Sequence, residues 1–213
     1  MNKARGLCIL DVDGTLIEEE VIDLLGKEAD CDKEVALITA QAMRGELDFE
    51  SSLKKRVSLL KGLSIDAFDK IYHELHLSKN AVQFIKTLKE SQIEDGLVSG
   101  GFTIIVEKLA KEFGIPLFVA NQLEISDGHL TGNLIGPVIS REVKEETLVS
   151  WANRLEVPLE CTIAVGDGAN DLKMLKRAGI GIGFCAKEIV KKEIPLQIDE
   201  RDLTKVLDKI NFL

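Results

Sequence analysis

The stretch GLCILDVDGT, residues 6–15, decides the fold, because a short apolar run in it ends in two carboxylates. The apolar residues 7–10 are typical of a buried β-strand. If the chain stays extended, alternation places Asp11 and Asp13 on the same side of it. Two like charges held this close are unfavourable unless a ligand or a reaction uses them. The stretch taken alone is also compatible with a polar turn that merely closes a strand, so the rest of the chain must decide.

Length and charge limit the classes of protein to consider. A chain of 213 residues can form one core domain with a modest insertion. The net charge of −9 argues against a general nucleic-acid binder, so an anionic substrate must meet a local cationic pocket. The start MNKARGL lacks a hydrophobic signal core, and no apolar run approaches the length of a membrane span. We therefore expect a cytoplasmic protein with no membrane partner.

The four cysteines do not suggest a metal centre or a disulfide framework. They are far apart in the sequence, without a CxxC pair or a cysteine–histidine cluster. Three of them lie in apolar, strand-like runs, where a buried free thiol is the simplest interpretation.

Most of the chain alternates short apolar runs with amphipathic segments. The predicted strands are residues 7–10, 93–98, 117–119, 162–165 and 180–184. The predicted helices are residues 81–90, 103–113, 141–155 and 171–178. Strands that alternate with helices form mostly parallel sheets covered on both faces. The sequence therefore predicts an α/β fold with a Rossmann-like, doubly wound parallel sheet as its core.

Two segments interrupt this alternation. Helical patterns without a convincing strand follow the first strand, at about residues 19–28, 32–43, 48–60 and 65–74. We interpret them as an α-helical cap, so that residues 1–15 and 76–213 form the core domain and residues 16–75 the cap domain. The second segment, LEISDGHLTGNLIG at residues 123–136, predicts a small β-hairpin that turns at Asp127-Gly128.

Polar residues follow three of the predicted strands. Asp11 and Asp13 follow the first, Ser99 follows the strand at 93–98, and Asp167 follows the strand at 162–165. Ligands of open α/β sheets bind at the carboxyl ends of the strands. The sequence therefore predicts that these side chains meet at one edge of the sheet.

Paired carboxylates at such an edge suit phosphoryl transfer. One carboxylate can attack phosphorus and form an aspartyl-phosphate, and a second can serve as acid and then base. A magnesium ion, which prefers oxygen ligands, offsets the repulsion between carboxylate and phosphate. In IAVGDGANDLKML, residues 163–175, Asp167, Asn170 and Asp171 offer further oxygen ligands, although Asn170 or Asp171 alone is also compatible with a helix N-cap.

Two features offer donors for phosphate oxygens. Ser99-Gly100-Gly101 follows a predicted strand and precedes a helix, where backbone N–H groups can hold an anion. Lys144, in the helical segment REVKEETL, can place an ammonium beside the transferred group, although a single helical lysine is usually solvated.

Together, DVDGT, VSGG, Lys144 and GDGAND resemble the haloacid dehalogenase superfamily, on its phosphatase branch, in the same order along the chain. The resemblance implies that Asp11 is the nucleophile and Asp13 the acid and base. It implies Mg²⁺ bound by Asp11, the backbone carbonyl of Asp13 and Asp167. It further implies phosphate or substrate contacts and supporting positions at Ser99, Gly100, Lys144, Asn170, Thr15 and Asp171. Transport ATPases, which resemble the pattern, carry threonine in place of Asp13, so Asp13 indicates prompt hydrolysis of the intermediate.

The predicted cap resembles the phosphoserine phosphatase family in EEEVIDLLGKEA and AMRGELDFESSLKKRVSLLKGL, as does GFCAKE near the end of the chain. The resemblance implies that Glu20 binds the substrate ammonium, that Arg56 binds its carboxylate, and that Met43 and Phe49 cover the pocket. A planar guanidinium can grip a carboxylate with two hydrogen bonds, although Arg56 in KKRVS is also compatible with a solvated face.

The expected function is therefore Mg²⁺-dependent hydrolysis of phosphoserine, the last step of serine biosynthesis, by a monomer or homodimer. Two alternatives stay open at this point. One is a phosphatase or phosphotransferase of this superfamily for another small phosphorylated metabolite, and the other is a catalytically silent sensor. Glu94, Asp95 and Gly96 interrupt an apolar strand, and we expect them at its solvent end or beside partners.

Overall fold

A computed structural model describes residues 4–210 of the chain. Its centre is a sheet of seven strands: β1 (Gly6–Leu10), β2 (Ile93–Phe102), β3 (Leu117–Ser126), β4 (His129–Ile135), β5 (Thr162–Gly166), β6 (Ile180–Phe184) and β7 (Gln197–Ile198). The strand order is β4-β3-β2-β1-β5-β6-β7. All neighbouring strands are parallel except β3 and β4. The predicted α/β class is confirmed.

The helices connect these strands and cover the sheet. They are α1 (Val21–Glu28), α2 (Asp32–Met43), α3 (Phe49–Leu59), α4 (Ala67–Glu74), α5 (Ala81–Glu90), α6 (Thr103–Phe113), α7 (Arg141–Arg154), α8 (Leu172–Arg177), α9 (Glu188–Glu193) and α10 (Thr204–Leu207). The eight predicted helices are confirmed within a few residues. The short elements α9, β7 and α10 have no counterpart in the prediction, because segments this short carry little periodicity.

Burial on both faces of the sheet explains why β1 is apolar throughout. Cys8 and Leu10 join the apolar layer on one face, while Leu7 and Ile9 join the layer on the other. All four side chains are fully buried. A strand covered on both faces cannot alternate polar with apolar residues. The central position of β1 therefore follows directly from its composition.

Helices α1 to α4 lie between β1 and α5 in the sequence and pack on one another. Helix α1 contacts α2 and α4, and α2 contacts α3, which also packs on β4. Where this segment leaves and rejoins the sheet, Ile17 pairs with Leu77 in an antiparallel bridge. Ser78 Oγ there donates a hydrogen bond of 2.6 Å to the Thr15 carbonyl. The division into a cap at residues 16–75 and a core around it stays a prediction.

The hairpin is confirmed, but it is not a separate insertion. Asp127 and Gly128 have φ angles of 49° and 75°, and two successive residues with positive φ form the turn that matches strand twist. Strand β3 pairs with β2 as far as Asn121 and with β4 from Gln122 onward. One long strand thus serves both the parallel sheet and the hairpin, and the predicted strand at residues 117–119 was too short.

The polar interruption of β2 lies at its amino end, inside the strand. Asp95 is 1% exposed, and its Oδ2 lies 3.9 Å from Lys89 Nζ. Lys89 also donates to the carbonyls of Phe113 and Gly114 at 2.5 and 2.8 Å. Gly96 is needed for packing, because a Cβ there would lie 2.5 Å from the Trp151 ring. Asp95 thus has an ion-pair partner in Lys89, but its buried Oδ2 accepts no hydrogen bond from the described residues.

None of the helices between residues 4 and 210 has the combination of length and apolar character that crossing a bilayer requires.

Candidate active site

A cavity of about 430 Å³ lies at the carboxyl edge of the sheet, and most of the predicted site residues meet there. Those that line it are Asp11, Asp13, Glu20, Met43, Phe49, Arg56, Gly100, Asp167 and Asn170. Four other predicted residues are fully buried instead: Thr15, Ser99, Lys144 and Asp171. The site is thus a lined cavity with a second set of polar groups packed behind it.

Lys144 connects the two sets. It is 0% exposed, and its Nζ donates to Asp11 Oδ1 at 2.8 Å and to Asp171 Oδ1 at 2.6 Å. Although burial opposes it, the charges of these two carboxylates raise the pKa of Lys144 above its ordinary value. Burial and the Asp171 carboxylate raise the pKa of Asp11, and the Lys144 ammonium opposes that rise. Lys144 therefore fixes one oxygen of Asp11 by a charged hydrogen bond.

Asp13 lies two residues further along the same loop. Its Oδ1 is buried and has no hydrogen-bond partner within the described chain. Burial, followed by the charge of Glu20, raises the pKa of Asp13 well above its ordinary value. A carboxyl group with a raised pKa keeps its proton more readily near neutral pH, which suits a proton donor. Thr15, although close in sequence, does not line the cavity, and its Oγ1 is also buried without a partner.

Three carboxylates form an oxygen-rich cluster that fits a divalent metal ion. Oxygens of Asp11, Asp167 and Asp171 all lie within 4.8 Å of one another. Gly14, with a φ of 71°, allows this approach, because a Cβ there would lie 2.8 Å from Asp167 Oδ2. Burial, opposed by Lys187, raises the pKa of Asp167 to about 6. Hard carboxylate oxygens concentrated in a partly desolvated site are the donor set that Mg²⁺ prefers.

The segment predicted to follow a strand as a phosphate loop is part of β2 itself. The strand continues to Phe102, its register with β3 shifts between Val98 and Phe102, and α6 begins directly afterwards. The prediction that β2 ends at Val98 was wrong, because the two glycines hid the extended backbone. Gly101 N donates to Ser99 Oγ at 2.9 Å, which fixes the serine at this irregular strand end.

Asn121 is a polar partner of this strand end that the sequence analysis missed. Its Nδ2 donates to the Gly100 carbonyl at 2.8 Å, and its Oδ1 accepts from Ile139 N at 2.9 Å. The side chain is 2% exposed, so both contacts are made in the interior. The sequence feature that could have indicated this role is a lone asparagine within the apolar run of β3.

Phe49 brings the helical segment onto the sheet edge. A Cβ on Gly100 would lie 3.2 Å from the Phe49 ring and 3.4 Å from Asn170 Nδ2. The three residues, from three separate parts of the chain, therefore converge at one side of the cavity. Met43 also lines the cavity but is 78% exposed, so it borders the opening.

Arg56 supplies a positive charge from α3. Its Nε donates to the Ser52 carbonyl at 3.4 Å, and its Nη1 donates to Thr39 Oγ1 at 3.5 Å. Burial lowers the pKa of Arg56, and the charge of Glu20 opposes this. A guanidinium stays protonated under such conditions. Ser52 and Thr39, which also line the cavity, were not singled out from the sequence.

Lys187 is a further cavity residue that the sequence analysis left without a role. Its Nζ lies 3.0 Å from Glu20 Oε1 and 3.1 Å from Asp167 Oδ2. The sequence feature that could have indicated a role for Lys187 is its position just beyond the carboxyl end of β6, in the segment GFCAKE.

The comparison with protein families agrees with this geometry. The model of the haloacid dehalogenase-like hydrolases matches residues 6–179, well over half of the chain. The chain belongs to the haloacid dehalogenase-like hydrolases.

Within that class, the chain is similar to phosphoserine phosphatases. It is 51% identical over 208 residues to the phosphoserine phosphatase of Streptococcus thermophilus, covering 98% of this chain and 97% of that protein. A solved phospho-aspartyl intermediate analogue of phosphoserine phosphatase has a TM-score of 0.92 and 42% identity, covering 98% of this chain and 100% of that one. A substrate-bound phosphoserine phosphatase complex has the same score and identity, covering 99% and 100%.

Proposed function

We propose that the chain is a Mg²⁺-dependent phosphoserine phosphatase that hydrolyses O-phospho-L-serine to L-serine and phosphate through an aspartyl-phosphate on Asp11. One observation carries the proposal: Asp11 and Asp13 line the same cavity as Glu20 and Arg56. The proposal includes a cytoplasmic enzyme that completes serine biosynthesis. It rests on the geometry above and on the similarity to enzymes of that name.

In the first step, Asp11 attacks phosphorus. Lys144 holds Oδ1 of Asp11, so Oδ2 is the attacking oxygen. A bond forms between this oxygen and phosphorus while the bond from phosphorus to the serine oxygen breaks. Asp13, whose raised pKa favours the protonated form, gives its proton to the departing oxygen. L-serine leaves, and the phosphoryl group stays on Asp11.

In the second step, Asp13 acts in the opposite direction. Now a carboxylate, it accepts a proton from a water molecule whose oxygen attacks phosphorus. The bond between phosphorus and Asp11 breaks, phosphate leaves, and both aspartates return to their starting forms. An acid that can become the base for water is what separates a phosphatase from a protein that stores the intermediate.

Asp11, Asp167 and the backbone carbonyl of Asp13 are the groups that would hold Mg²⁺, with Asp171 supporting them. When bound, the ion offsets the repulsion between the carboxylate of Asp11 and the phosphate dianion. Ser99, Gly100 and Lys144 are the proposed partners of the phosphate oxygens. Lys144 also offsets the repulsion between Asp11 and Asp171, since its ammonium lies between their carboxylates.

The cap-side residues select the substrate. Phosphoserine carries one ammonium and one carboxylate beside its phosphate, and the cavity offers Glu20 and Arg56 as complementary charges. Phe49 and Met43 add apolar surface to the same cavity, and Phe49 and Asn170 both lie close to Gly100. An ester that lacks either charge loses the contact with Glu20 or with Arg56, which costs binding free energy.

The proposal is tested by phosphate release from a panel of phosphorylated amino acids and sugar phosphates, with Mg²⁺ and with a chelator. We expect the highest kcat/KM for O-phospho-L-serine and loss of turnover with the chelator. A higher kcat/KM for another metabolite phosphate would leave the proposed phosphatase mechanism intact but contradict phosphoserine as the substrate. Absence of turnover on every ester with Mg²⁺ would overturn the enzyme itself in favour of a silent sensor.

The charge of Arg56 provides a sharper test of the substrate. Arg56→Ala removes the proposed partner of the substrate carboxylate, so KM for phosphoserine should rise about 10- to 100-fold, as expected for one lost charged hydrogen bond or two. KM for p-nitrophenyl phosphate, which has no carboxylate, should change little. Lys55→Ala, at the exposed neighbouring position, is the matched control. Equal losses on both esters would contradict the assigned role of Arg56.

A further inference from the structure

Lys187 is built into the cavity from the core side. It precedes α9, and its backbone N–H donates to the Asp167 carbonyl at 2.9 Å, which fixes the residue beside the end of β5. Its Nζ reaches Glu20 Oε1 at 3.0 Å and Asp167 Oδ2 at 3.1 Å. One ammonium thus bridges the segment that enters α1 and the end of a central strand.

The charges that line the cavity explain why Glu20 needs this bridge. The charged residues that line the cavity are five acids and two bases: Asp11, Asp13, Glu20, Asp23, Asp167, Arg56 and Lys187. Glu20 lies close enough to Asp13 and Asp167 that its charge raises the pKa of both. By the same repulsion, those carboxylates push Glu20 away from the reacting centre. Lys187 stands between Glu20 and Asp167 and offsets this repulsion.

Glu20 is otherwise weakly held. Among the described residues, the donor that forms a hydrogen bond with the Glu20 side chain is the Lys187 ammonium. A glutamate with three free torsions loses conformational entropy when a ligand orders it, so prior ordering by a fixed partner strengthens binding. Lys187 engages Oε1 and leaves Oε2 for a second cation.

We propose that Lys187 is a positioning residue that holds Glu20 in place for the substrate ammonium, and so sets the preference for phosphate esters that carry an amino group. The inference rests on the proposed function and extends it. Lys187 acts on the amino group through Glu20, and its contact with Asp167 Oδ2 bears equally on every phosphate ester. The 51% exposure of its side chain agrees with a role at the wall of the cavity.

The test compares two esters that differ in one group. O-Phospho-L-serine carries the ammonium, and 3-phosphonooxypropanoate keeps carboxylate and phosphate but has hydrogen in its place. In Lys187→Met, KM for phosphoserine should rise about tenfold, the effect of about 1.4 kcal/mol. KM for the ester without the amino group should change less than about twofold, and Lys187→Arg should restore most of the preference. The ratio of the two kcat/KM values is independent of the fraction of enzyme that folds.

Lys191→Met is the matched control, since Lys191 lies on α9 and pairs with Asp199 at 2.7 Å, away from the cavity. Binding of phosphoserine, measured by calorimetry in an Asp11→Asn background without turnover, should weaken with Lys187→Met by the same factor as KM. Equal losses on both esters, or no loss on either, would overturn the inference. If wild-type enzyme does not hydrolyse phosphoserine, the proposed function fails instead, so the two failures are distinguishable.

Discussion

The two ends of the central strands both bury an aspartate beside a lysine, but they differ in what surrounds the pair. At the carboxyl end, Lys144 donates to Asp11 at 2.8 Å and to a second carboxylate, and Asp11 lines the cavity. At the amino end, Lys89 lies 3.9 Å from Asp95, which is not among the cavity residues. Burial of a carboxylate therefore does not by itself indicate function.

The sheet direction explains the difference. Parallel strands bring their carboxyl ends to one edge, so polar residues from β1, β2 and β5 accumulate there. The amino end of β2 buries one acid, Asp95, whose neighbour of opposite charge is Lys89 on helix α5. Convergence of several strand ends on a cavity is the feature that distinguishes the active site.

Replacing the buried aspartate by asparagine at each end should show the difference between the two ends most clearly. Asp11→Asn removes the attacking carboxylate, so phosphoserine turnover should fall roughly 10⁴-fold or more, as is typical for loss of a nucleophile. Asp95→Asn should leave kcat and KM within about twofold. Phosphate release with Mg²⁺ measures both, and circular dichroism checks that each variant is folded. Substantial turnover by folded Asp11→Asn would refute the aspartyl-phosphate.

Removing the lysine at each end gives the next largest effect. Lys144→Met leaves two buried carboxylates without their partner, and breaking such a group costs about 3–5 kcal/mol of folding free energy. Turnover should fall about 10²- to 10³-fold, because the charge beside the transferred group is lost.

Lys89→Met is the matched variant at the amino end. It removes hydrogen bonds to two helix-end carbonyls, so we expect a loss of about 1–3 kcal/mol in the free energy of unfolding. Its turnover should stay close to wild type. Urea denaturation and steady-state kinetics measure the two quantities, and a large loss of turnover in Lys89→Met would contradict the assignment of this end to stability alone.

The sequence predicted the carboxyl end far better than the amino end. Asp11 and Asp167 were placed at one edge because strand direction follows from the βαβ alternation, and the structure brings them within 4.8 Å. Helices α1 to α4 were also predictable, since four amphipathic segments without strands interrupt the alternation. These features depend on periodicity, which a single sequence displays directly.

Contacts between distant segments could not be predicted in this way. The pairing of Lys187 with Glu20 joins residues 167 positions apart, and no sequence pattern around either residue indicates the other as its partner. Asn121 likewise meets Gly100 only because β2 and β3 are neighbours with a shifted register. The extent of β2 was missed because glycines favour turns, and here the tertiary pairing overrides that preference.

The prediction with the smallest effect on turnover concerns the pH dependence of stability at the amino end. Burial, opposed by Lys89, raises the pKa of Asp95 from its ordinary value of 3.8 to about 6. The folded state then holds the proton more tightly than the unfolded state, so this residue lowers the free energy of unfolding as pH rises from about 4 to about 6. One pKa unit corresponds to about 1.4 kcal/mol, which gives about 3 kcal/mol in total.

Asp95→Asn removes this titration and keeps the shape of the side chain. Relative to wild type, the variant should therefore gain about 3 kcal/mol between pH 4 and pH 7, measured by urea denaturation at each pH. The acids at the carboxyl end titrate in both proteins, so their contribution cancels in the difference. Glu94→Gln, at the half-buried neighbouring position, controls for loss of one negative charge. If the stability difference between Asp95→Asn and wild type is the same at every pH, Asp95 is as well solvated as a surface carboxylate, and the contrast between the two ends of the sheet loses its energetic basis.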